Sequence, residues 1–418
     1  MKSFSTKKTE EYELLIDSWV SERINAGIID FKSLVNSLPS VYPQFVFDSL
    51  ERLASKKMIT PEIYKKISGN ARVKPVISVS VEKRNTLSPP HPLDFDWRFT
   101  DETTNELVKN CLLLSKSGDT IALLGTPSLF YTVANHEYDR RFILLDQNPI
   151  NHFRVDIKHC TFLQCDLLKD FFPNLSSVAK TVLIDPPWYL EYQRAFLWNA
   201  SKICKINGSI LMVAPRAGTR PEIDEEWQSI LKWSDRLGLD HLGNSSTNVA
   251  YETPYFERNA LRCVGIHNFP LDWRRADLAI FTKKEDKSIE PPKKICHSNW
   301  YKKSYMGIRI RRHKNLSGFN DPSLISILPC DVLPSVSRSD PYRKTADVWT
   351  SGNRIFTCNG TNVLHRILCA MKAGCPPHPK VECMIGRKLE KKEHRLISIA
   401  KRQIDEVIKL EQRELSEM

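Results

Sequence analysis

The sequence contains no long apolar run. None of its 418 residues belongs to a stretch that approaches about 18 consecutive apolar residues, the length at which a helix becomes a candidate for crossing a bilayer. The first residues, Met1-Lys2-Ser3-Phe4, also lack the apolar segment of a secretory signal peptide. We therefore expect neither a membrane-spanning helix nor a membrane partner.

The sequence also lacks a paired cysteine framework, an internal repeat and a low-complexity tract. Its eleven cysteines are irregularly spaced, so we expect free thiols in a reducing, cytoplasmic environment. One group of side chains suggests zinc, but only Cys375 and His378 have the separation of a ligand pair, and we expect no metal site. The group consists of Cys358, Cys369, Cys375, His378 and Cys383.

Positive charge is in excess and is concentrated in one segment. The formal net charge of the chain is +12. Residues 283–314 contain eleven lysines and arginines against three acids, which is a local balance of +8. Such a concentration favours a polyanionic partner, so we expect nucleic acid, although a solvated connector explains the segment equally well.

A strand within this basic segment is the best candidate for contact with phosphates. Between residues 302 and 314, isoleucines alternate with arginines, and a strand with this alternation has one basic face. We assign substrate contacts to Arg309, Arg311 and Arg312. The expected contacts are with a phosphate backbone.

Residues 1–70 predict a small helical, winged-helix-like module. Three apolar patterns with helical spacing lie between residues 9 and 67, and residues 56–59 follow the third as a possible wing. Modules of this kind can place their third helix in a DNA groove. Here that helix carries Asp48 and Glu51 and has no basic face, so docking or self-association stays open beside DNA binding.

The regions on either side of the central domain have different compositions. Residues 71–99 are rich in proline and predict a linker with one strand over residues 75–81. Residues 286–418 predict a mixed, basic C-terminal region that ends in a long charged helix from residue 388 to 417. The apolar stripe of this helix suits a partner helix or self-association.

Residues 100–285 alternate between helix and strand patterns. This alternation predicts a doubly wound α/β fold around a parallel sheet. The predicted strands are 120–125, 141–146, 160–165, 181–185, 209–214 and 277–283.

The central feature of this domain is a strand that ends in the tetrad Asp185-Pro186-Pro187-Trp188. Proline fixes its own φ and keeps the preceding residue extended, so Asp185 is held at the carboxyl end of a strand, where open α/β sheets bind ligands. The carboxylate and the carbonyl of Pro186 can accept hydrogen bonds from a planar amine, and Trp188 can stack on it, with Tyr189 beside it. A simple stop between strand and turn is the alternative.

The stretch resembles the Asp-Pro-Pro-aromatic motif of S-adenosylmethionine-dependent amino-methyltransferases that act on adenine N6 and, in relatives, on other amines. The resemblance covers about residues 95–285 and implies a class I methyltransferase-like fold. Branched-chain polyamine synthases, which transfer an aminopropyl group, share the tetrad and also place a winged-helix-like module before the catalytic domain.

The resemblance implies S-adenosylmethionine as cofactor and a set of residues that bind it. The loop after the first strand, Gly125-Thr126-Pro127, is expected to wrap the cofactor. Asp146 stands where an acid binds the ribose hydroxyls, and Asp166 is expected to accept from the adenine edge. The loop departs from the family pattern because it has one glycine, and because Pro127 removes a backbone donor.

An aromatic segment precedes the last strand. Residues 249–264 include Tyr255 and Phe256, to which we assign substrate contacts because related enzymes place substrate-facing loops here and because aromatic side chains interleaved with arginine suit base stacking. A buried hairpin accounts for the same pattern.

These observations predict an enzyme that transfers a methyl group from S-adenosylmethionine to an amine, with adenine N6 in nucleic acid as the first substrate. Aminopropyl transfer to a polyamine, methylation of a protein amine, and a non-catalytic nucleic-acid-binding or assembly subunit are the alternatives.

Overall fold

The computed structural model describes residues 2–74, 89–150, 159–170, 172–293, 300–311, 318–338 and 340–417. The helices are α1 (Lys2–Asn25), α2 (Phe31–Asn36), α3 (Pro43–Ser55), α4 (Pro61–Arg72), α5 (Asp101–Leu113), α6 (Pro127–Ala134), α7 (Leu190–Ile203), α8 (Ile223–Arg236), α9 (Tyr255–Cys263), α10 (Thr361–Lys372), α11 (Pro377–Ile385) and α12 (Lys391–Ser416). The strands are β1 (Arg98–Phe99), β2 (Thr120–Leu124), β3 (Arg141–Asp146), β4 (Cys160–Gln164), β5 (Ala179–Ile184), β6 (Cys204–Pro215), β7 (Leu239–Glu252), β8 (Arg275–Lys283), β9 (Trp300–Tyr305), β10 (Ile308–Arg311), β11 (Ile325–Ser326), β12 (Val348–Trp349) and β13 (Ile355–Thr357).

The N-terminal module is a group of four helices, one more than the sequence predicts. Asp30 and Thr60 cap α2 and α4 by accepting backbone N–H bonds from the first turns. Residues 2–74 contain no strand, and the wing expected at residues 56–59 is a turn. The strand expected over residues 75–81 lies outside the described residues.

The module shares its apolar core with the central domain. Leu261, Ile266, Phe269 and Trp273, which belong to α9 and the connection to β8, are buried in one cluster with the inner faces of α1 to α4. The hydroxyl of Tyr12 on α1 donates to the carbonyls of two residues after β6, at 2.8 and 3.0 Å. The four helices are therefore packed firmly on the domain that carries the tetrad.

The central sheet has eight strands in the order β1-β7-β8-β6-β5-β2-β3-β4. Strands β2 to β6 pair in parallel, and β8 runs antiparallel between β6 and β7. The middle strands are buried on both faces, since every residue of β2 is buried, as parallel strands covered by helices require. The predicted class I methyltransferase-like fold is confirmed.

The C-terminal region forms a five-stranded antiparallel sheet in the order β11-β13-β12-β10-β9, covered by α10, α11 and α12. Ile308 and Ile310 of β10 are buried, as the alternation predicts. A capping box between Glu390 and Glu393 starts α12. Its buried stripe, which includes Ile397 and Ile404, packs on the helices and strands of this region, so a partner within the chain covers it.

No helix among the described residues combines the length and apolarity needed to cross a membrane.

Candidate active site

The predicted site residues follow four neighbouring parallel strands. In register, Leu124 of β2 pairs with Leu145 of β3 and with Ile184 of β5. Gly125, Asp146 and Asp185 come next in the chain, so they meet at one edge of the sheet. The structure brings the cofactor loop, the expected ribose acid and the tetrad together at the carboxyl ends of the strands.

Gly125 occupies a position that only glycine fits well. Its φ is +71°, and a Cβ atom there would lie 2.9 Å from Cε1 of Phe196 and 3.3 Å from the carbonyl oxygen of Asp185. The absence of a side chain therefore lets the loop approach the tetrad directly.

The rest of the loop contains a proline and one buried hydroxyl. Pro127 is the first residue of α6, a position whose N–H has no partner within the helix, so the proline removes nothing that the fold needs. The side chain of Thr126 is buried, and its Oγ1 makes no hydrogen bond within the described part of the chain. Thr126 lines neither of the two cavities that contact Asp185, so its expected contact with the cofactor stays a prediction.

Asp146 ends β3 as a nearly buried carboxyl. It accepts a 2.8 Å hydrogen bond from the backbone N–H of Asn148. Burial raises its pKa to about 7, with smaller contributions from the negative charges of Asp96 and Asp94. Hydrogen bonds donated to Asp146 by ribose hydroxyls would offset the cost of burying its ionised form.

Asp166 lies on the same rim and is held by its own turn. Its Oδ1 accepts from the N–H of Leu168 at 3.1 Å, and its Oδ2 accepts from Nζ of Lys169 at 2.6 Å. It lines the same cavity as Gly125 and Asp146. Its expected role at the adenine edge stays a prediction.

The carboxyl group of Asp185 is held by a tyrosine. The hydroxyl of Tyr251, on β7, donates a 2.6 Å hydrogen bond to Oδ1 of Asp185. Burial raises the pKa of Asp185 to about 8, while this hydrogen bond acts in the opposite direction. Asp96 contributes a smaller upward shift. A carboxyl with a raised pKa in a cavity has the properties of a functional acid.

Neighbouring residues hold both the backbone and the indole ring of Trp188 in place. Its carbonyl accepts a 2.8 Å hydrogen bond from Arg220. The guanidinium of Arg274 lies 5.2 Å from the centre of its ring, and the ring of Tyr251 lies edge-on at 5.8 Å. Glu257 accepts from Arg274 at 3.0 Å and so neutralises the charge. The indole is thus a rigid wall of the site.

Two cavities meet at Asp185. A large cavity of about 1240 Å³ runs past the cofactor loop, Asp146 and Asp166 and is closed on its far side by the C-terminal region. A small cavity of about 130 Å³ is enclosed mainly by aromatic rings. Both contact Asp185 and Pro187. The small cavity is lined by Phe95, Trp97, Asp185, Pro186, Pro187, Trp188, Tyr189, Arg220, Tyr251 and Arg274.

Two other sets of predicted contacts lie elsewhere. Tyr255 and Phe256 belong to α9 and are buried: the hydroxyl of Tyr255 donates to Glu414 at 2.5 Å, and Phe256 packs edge-on against Trp97 at 5.2 Å. Their assignment to substrate contact is therefore corrected, because neither ring is available to a ligand in the cavities. They join α9 to its surroundings instead.

The basic strand has its expected alternation but different surroundings. Arg309 forms a bidentate ion pair with Asp94, so its charge is neutralised within the protein. Arg311 donates to two backbone carbonyls and lines the large cavity. Arg312 lies outside the described residues. The expectation of an exposed phosphate-binding face is therefore wrong for Arg309, which lies in a buried ion pair. Arg311 lies in the wall of the large cavity instead.

Sequence reasoning assigned no role to several residues of the site. Tyr251 stood in the aromatic segment without a function, and Phe95, Asp96 and Trp97 stood in a region interpreted as linker. The composition of residues 95–97 could have indicated a role in the site, since acids and aromatic residues are unusual in a solvated linker.

Comparisons with known proteins agree with this geometry. Residues 96–213 match the model of a family described as Probable N6-adenine methyltransferase. No curated protein matches the chain. The branched-chain polyamine synthase C9 mutein from Thermus thermophilus is similar in structure, with a TM-score of 0.50 and 14% identity over 71% of this chain and 97% of its own. This similarity shows a shared fold.

Methyltransferases of known structure are also among the matches. The N-methyltransferase NodS from Bradyrhizobium japonicum, solved with S-adenosyl-L-homocysteine, matches with a TM-score of 0.30 and 13% identity over 44% of this chain and 87% of its own. The family match confirms the resemblance given by the tetrad, and with it the predicted class of S-adenosylmethionine-dependent N-methyltransferase.

Proposed function

We propose that this protein transfers a methyl group from S-adenosylmethionine to an exocyclic amine of a planar base, with adenine N6 in nucleic acid as the first candidate. The observation that carries the proposal is the position of Asp185, whose carboxyl contacts both the large cavity beside the cofactor loop and the small aromatic cavity. A donor in the first cavity and an amine in the second would face each other across this residue.

The donor side of the site suits a cationic cofactor. When bound, S-adenosylmethionine supplies an electrophilic methyl carbon on a positively charged sulfur. Asp146 would accept hydrogen bonds from the ribose hydroxyls, and Gly125 would let the loop approach the cofactor closely. Asp146 and Asp185 line this cavity and have no lysine or arginine at ion-pair distance among the described residues, so their ionised forms would favour the sulfonium.

The acceptor side of the site suits a flat amine. In its ionised form Asp185 accepts one N–H bond, and the carbonyl of Pro186 accepts the other, which aims the nitrogen lone pair toward the donor. The aromatic rings exclude water and provide faces for a base. Because the amine loses its proton after attack, Asp185 needs to hold that proton only briefly before solvent takes it.

Access to the small cavity limits the form of the substrate. A base within a duplex cannot reach a recessed aromatic pocket, so a base in nucleic acid would have to be single-stranded or rotated out of the helix. The excess of positive charge on the chain, +12, supports a polyanionic substrate.

The test is a transfer assay with methyl-labelled S-adenosylmethionine and single-stranded adenine oligonucleotides, with nucleosides identified by mass spectrometry. We expect N6-methyladenosine or its deoxy form from the native chain and none from Asp185→Asn, which should still bind the cofactor. Asp235→Asn changes an exposed acid on α8 and is the matched control. If the native chain binds the cofactor but methylates adenine in none of these oligonucleotides, adenine is rejected as the acceptor.

Aminopropyl transfer is the second candidate. The observation that favours it is a pair of carboxyl groups in the large cavity, Asp146 and Asp185, which have no lysine or arginine at ion-pair distance among the described residues and could bind a cationic amine when ionised. The fold shared with a polyamine synthase over 97% of that enzyme's chain is consistent with it. Replacing the donor by decarboxylated S-adenosylmethionine and the acceptor by spermidine tests it, with a branched polyamine as the expected product.

A further inference from the structure

Three arginines of the C-terminal region line the large cavity from the side opposite the strand ends. They are Arg311 of β10, and Arg338 and Arg343 from the segment before β12. Their elements are far from the tetrad in sequence, and the mechanism proposed above uses none of them. These three residues line a cavity of about 1240 Å³, which is large enough for more than a cofactor.

Arg311 and Arg343 are held in place without neutralisation. Each lies over an indole ring: Arg311 is 5.0 Å from the ring centre of Trp300, and Arg343 is 4.7 Å from that of Trp349. Their hydrogen bonds go to backbone carbonyls, Arg311 to residues 343 and 344, and Arg343 to residues 336 and 337. Neither has a carboxylate within ion-pair distance in the described part of the chain.

This arrangement differs from that of three other arginines in the interior. Arg309 has Asp94 as a bidentate partner, Arg354 pairs with Glu411 and Glu414, and Arg274 pairs with Glu257. In these three cases the fold neutralises the guanidinium group with a carboxylate. At Arg311 and Arg343 it positions the cation without a carboxylate at ion-pair distance among the described residues, although burial of an unpaired charge is costly.

The local potential agrees with this geometry. Burial lowers the pKa of Arg343 and the positive charge of Arg338 adds to this, while Tyr189 and Asp340 act in the opposite direction. The pKa of His91, which also lines the cavity, is well below its usual value because of burial and of the charges of Arg309 and Arg343. An anion at this wall would act against the lowering of both pKa values.

Arg338 joins this wall to the amine pocket. Its guanidinium lies 5.2 Å from the ring centre of Tyr189, the residue that follows the tetrad and lines the small cavity. It also pairs with Glu191 in the first turn of α7. A ligand with a planar head beside Asp185 and an anionic tail of nucleotide size would extend from the small cavity toward the three arginines.

We propose that Arg311, Arg338 and Arg343 form a phosphate-binding subsite, and that the substrate is a phosphate-bearing adenine compound whose phosphate lies on this wall while its base enters the small cavity. The placement of the base rests on the proposed function, whereas the phosphate subsite stands on the arginines alone. The phosphate belongs either to a free nucleotide or to a nucleic-acid backbone. Arginine suits it because its planar fork forms paired, charge-assisted hydrogen bonds.

The test is calorimetric titration of the full chain with pyrophosphate, which carries the anionic chemistry without a base. We expect binding to the native chain and a loss of affinity of about 10-fold or more in Arg343→Gln and in Arg338→Gln. Arg338 is partly exposed, so its replacement avoids a folding defect. Arg236→Gln is the matched control, since Arg236 lies 5.0 Å from the ring centre of Trp233 on the outer face of α8, outside the cavity.

Titrations with adenosine, adenosine monophosphate and a hexamer of deoxyadenosine identify the source of the phosphate. An arginine-dependent gain over adenosine for the monophosphate supports a free nucleotide, and such a gain for the hexamer alone supports nucleic acid. For the hexamer, each arginine removed should reduce the slope of log affinity against log salt by about 0.7.

Two outcomes separate this proposal from the proposed function. Pyrophosphate affinity that is equal in the native chain, Arg343→Gln and Arg338→Gln overturns the subsite, whatever the transfer assay shows. Arginine-dependent pyrophosphate binding in a protein that fails to methylate adenine keeps the subsite and rejects the acceptor.

Discussion

The hydroxyl group of Tyr251 on β7 donates a 2.6 Å hydrogen bond to Oδ1 of Asp185 in the tetrad. This bond lowers the pKa of a carboxyl that burial raises to about 8. Because the ionised carboxylate is the stronger acceptor for the substrate amine and the form that can take up its proton, the two residues together set the pH at which the site is competent.

Tyr251→Phe should therefore move the pH–rate profile. In the native chain, we expect kcat/KM to rise with pH through about 8 as Asp185 ionises. Removal of the hydroxyl raises the pKa of Asp185 further, so the midpoint should shift to higher pH. Steady-state rates between pH 6 and 10 measure it, with the exposed Tyr342→Phe as control. An unshifted midpoint would show that Asp185 does not govern the profile.

Asp185→Asn should stabilise the fold at alkaline pH. The folded-state pKa of about 8 lies above the unfolded value of 3.8, so the stability that Asp185 contributes is present below pH 3.8 and is lost as pH rises to about 8. Asparagine does not titrate and avoids this loss, which should raise the free energy of unfolding by on the order of 1–3 kcal/mol at alkaline pH. Thermal unfolding at pH 5 and pH 9 checks it. An equal effect at both values would contradict the linkage.

Cofactor affinity should depend on the ionisation of Asp146. Its pKa of about 7 means that the carboxylate, which accepts ribose hydroxyls, forms as pH rises through neutrality. We expect S-adenosylmethionine to bind more tightly at pH 8 than at pH 6, and Asp146→Ala to lose about 1–3 kcal/mol of binding at pH 8. Calorimetric titration measures both, with Asp235→Ala as control. If neither the change of pH nor the Asp146→Ala substitution alters the dissociation constant, the role of Asp146 is purely structural.

Gly125→Ala should reduce transfer activity because the added methyl group would collide with neighbouring atoms, in addition to the backbone strain at a positive φ. The added methyl group would meet Phe196 and the backbone of Asp185. Gly118 has a similar φ of +77° but nothing within 4 Å of its Cβ position, so Gly118→Ala reproduces the strain without the contact. We expect transfer to fall at least about 10-fold in the first variant relative to the second, which corresponds to about 1.4 kcal/mol. Equal activity in the two variants would rule out a steric role.

The buried ion cluster of Arg354, Glu411 and Glu414 should contribute strongly to stability. Arg354 donates to Glu414 and to Glu411, and the latter also accepts from the backbone N–H of Gly352 at 3.2 Å. Arg354→Met leaves two carboxylates without their cation and should cost about 3–5 kcal/mol. The exposed pair of Lys401 and Asp405 is the control, since Lys401→Ala should cost no more than about 1 kcal/mol. Denaturant unfolding measures both.

The parts of the fold that sequence reasoning predicted are those with local signals. Strands β2, β3 and β5 in the middle of the sheet are short, largely apolar runs, and an acid marks the carboxyl end of two of them, at Asp146 and Asp185. Because parallel strands end at one edge, the positions of these residues along the chain were enough to predict that they lie close together.

The parts that sequence reasoning could not predict depend on contacts between distant residues. Tyr255 bonds to Glu414, 159 residues later, and Arg309 bonds to Asp94, 215 residues earlier. The local pattern of an aromatic residue beside an arginine, or of an arginine in an alternating strand, is the same whether the partner is a ligand or another part of the chain. Only the tertiary fold distinguishes the two.

The core shared by the N-terminal helices and the central domain has a consequence for how this protein could have been assembled. Leu261, Ile266, Phe269 and Trp273 are covered by α1 to α4, so a chain that lost these helices would present four large apolar side chains to water. The helical module is therefore not an accessory that recombination could add or delete freely. Descendants of this protein should inherit it together with the enzyme, or lose both.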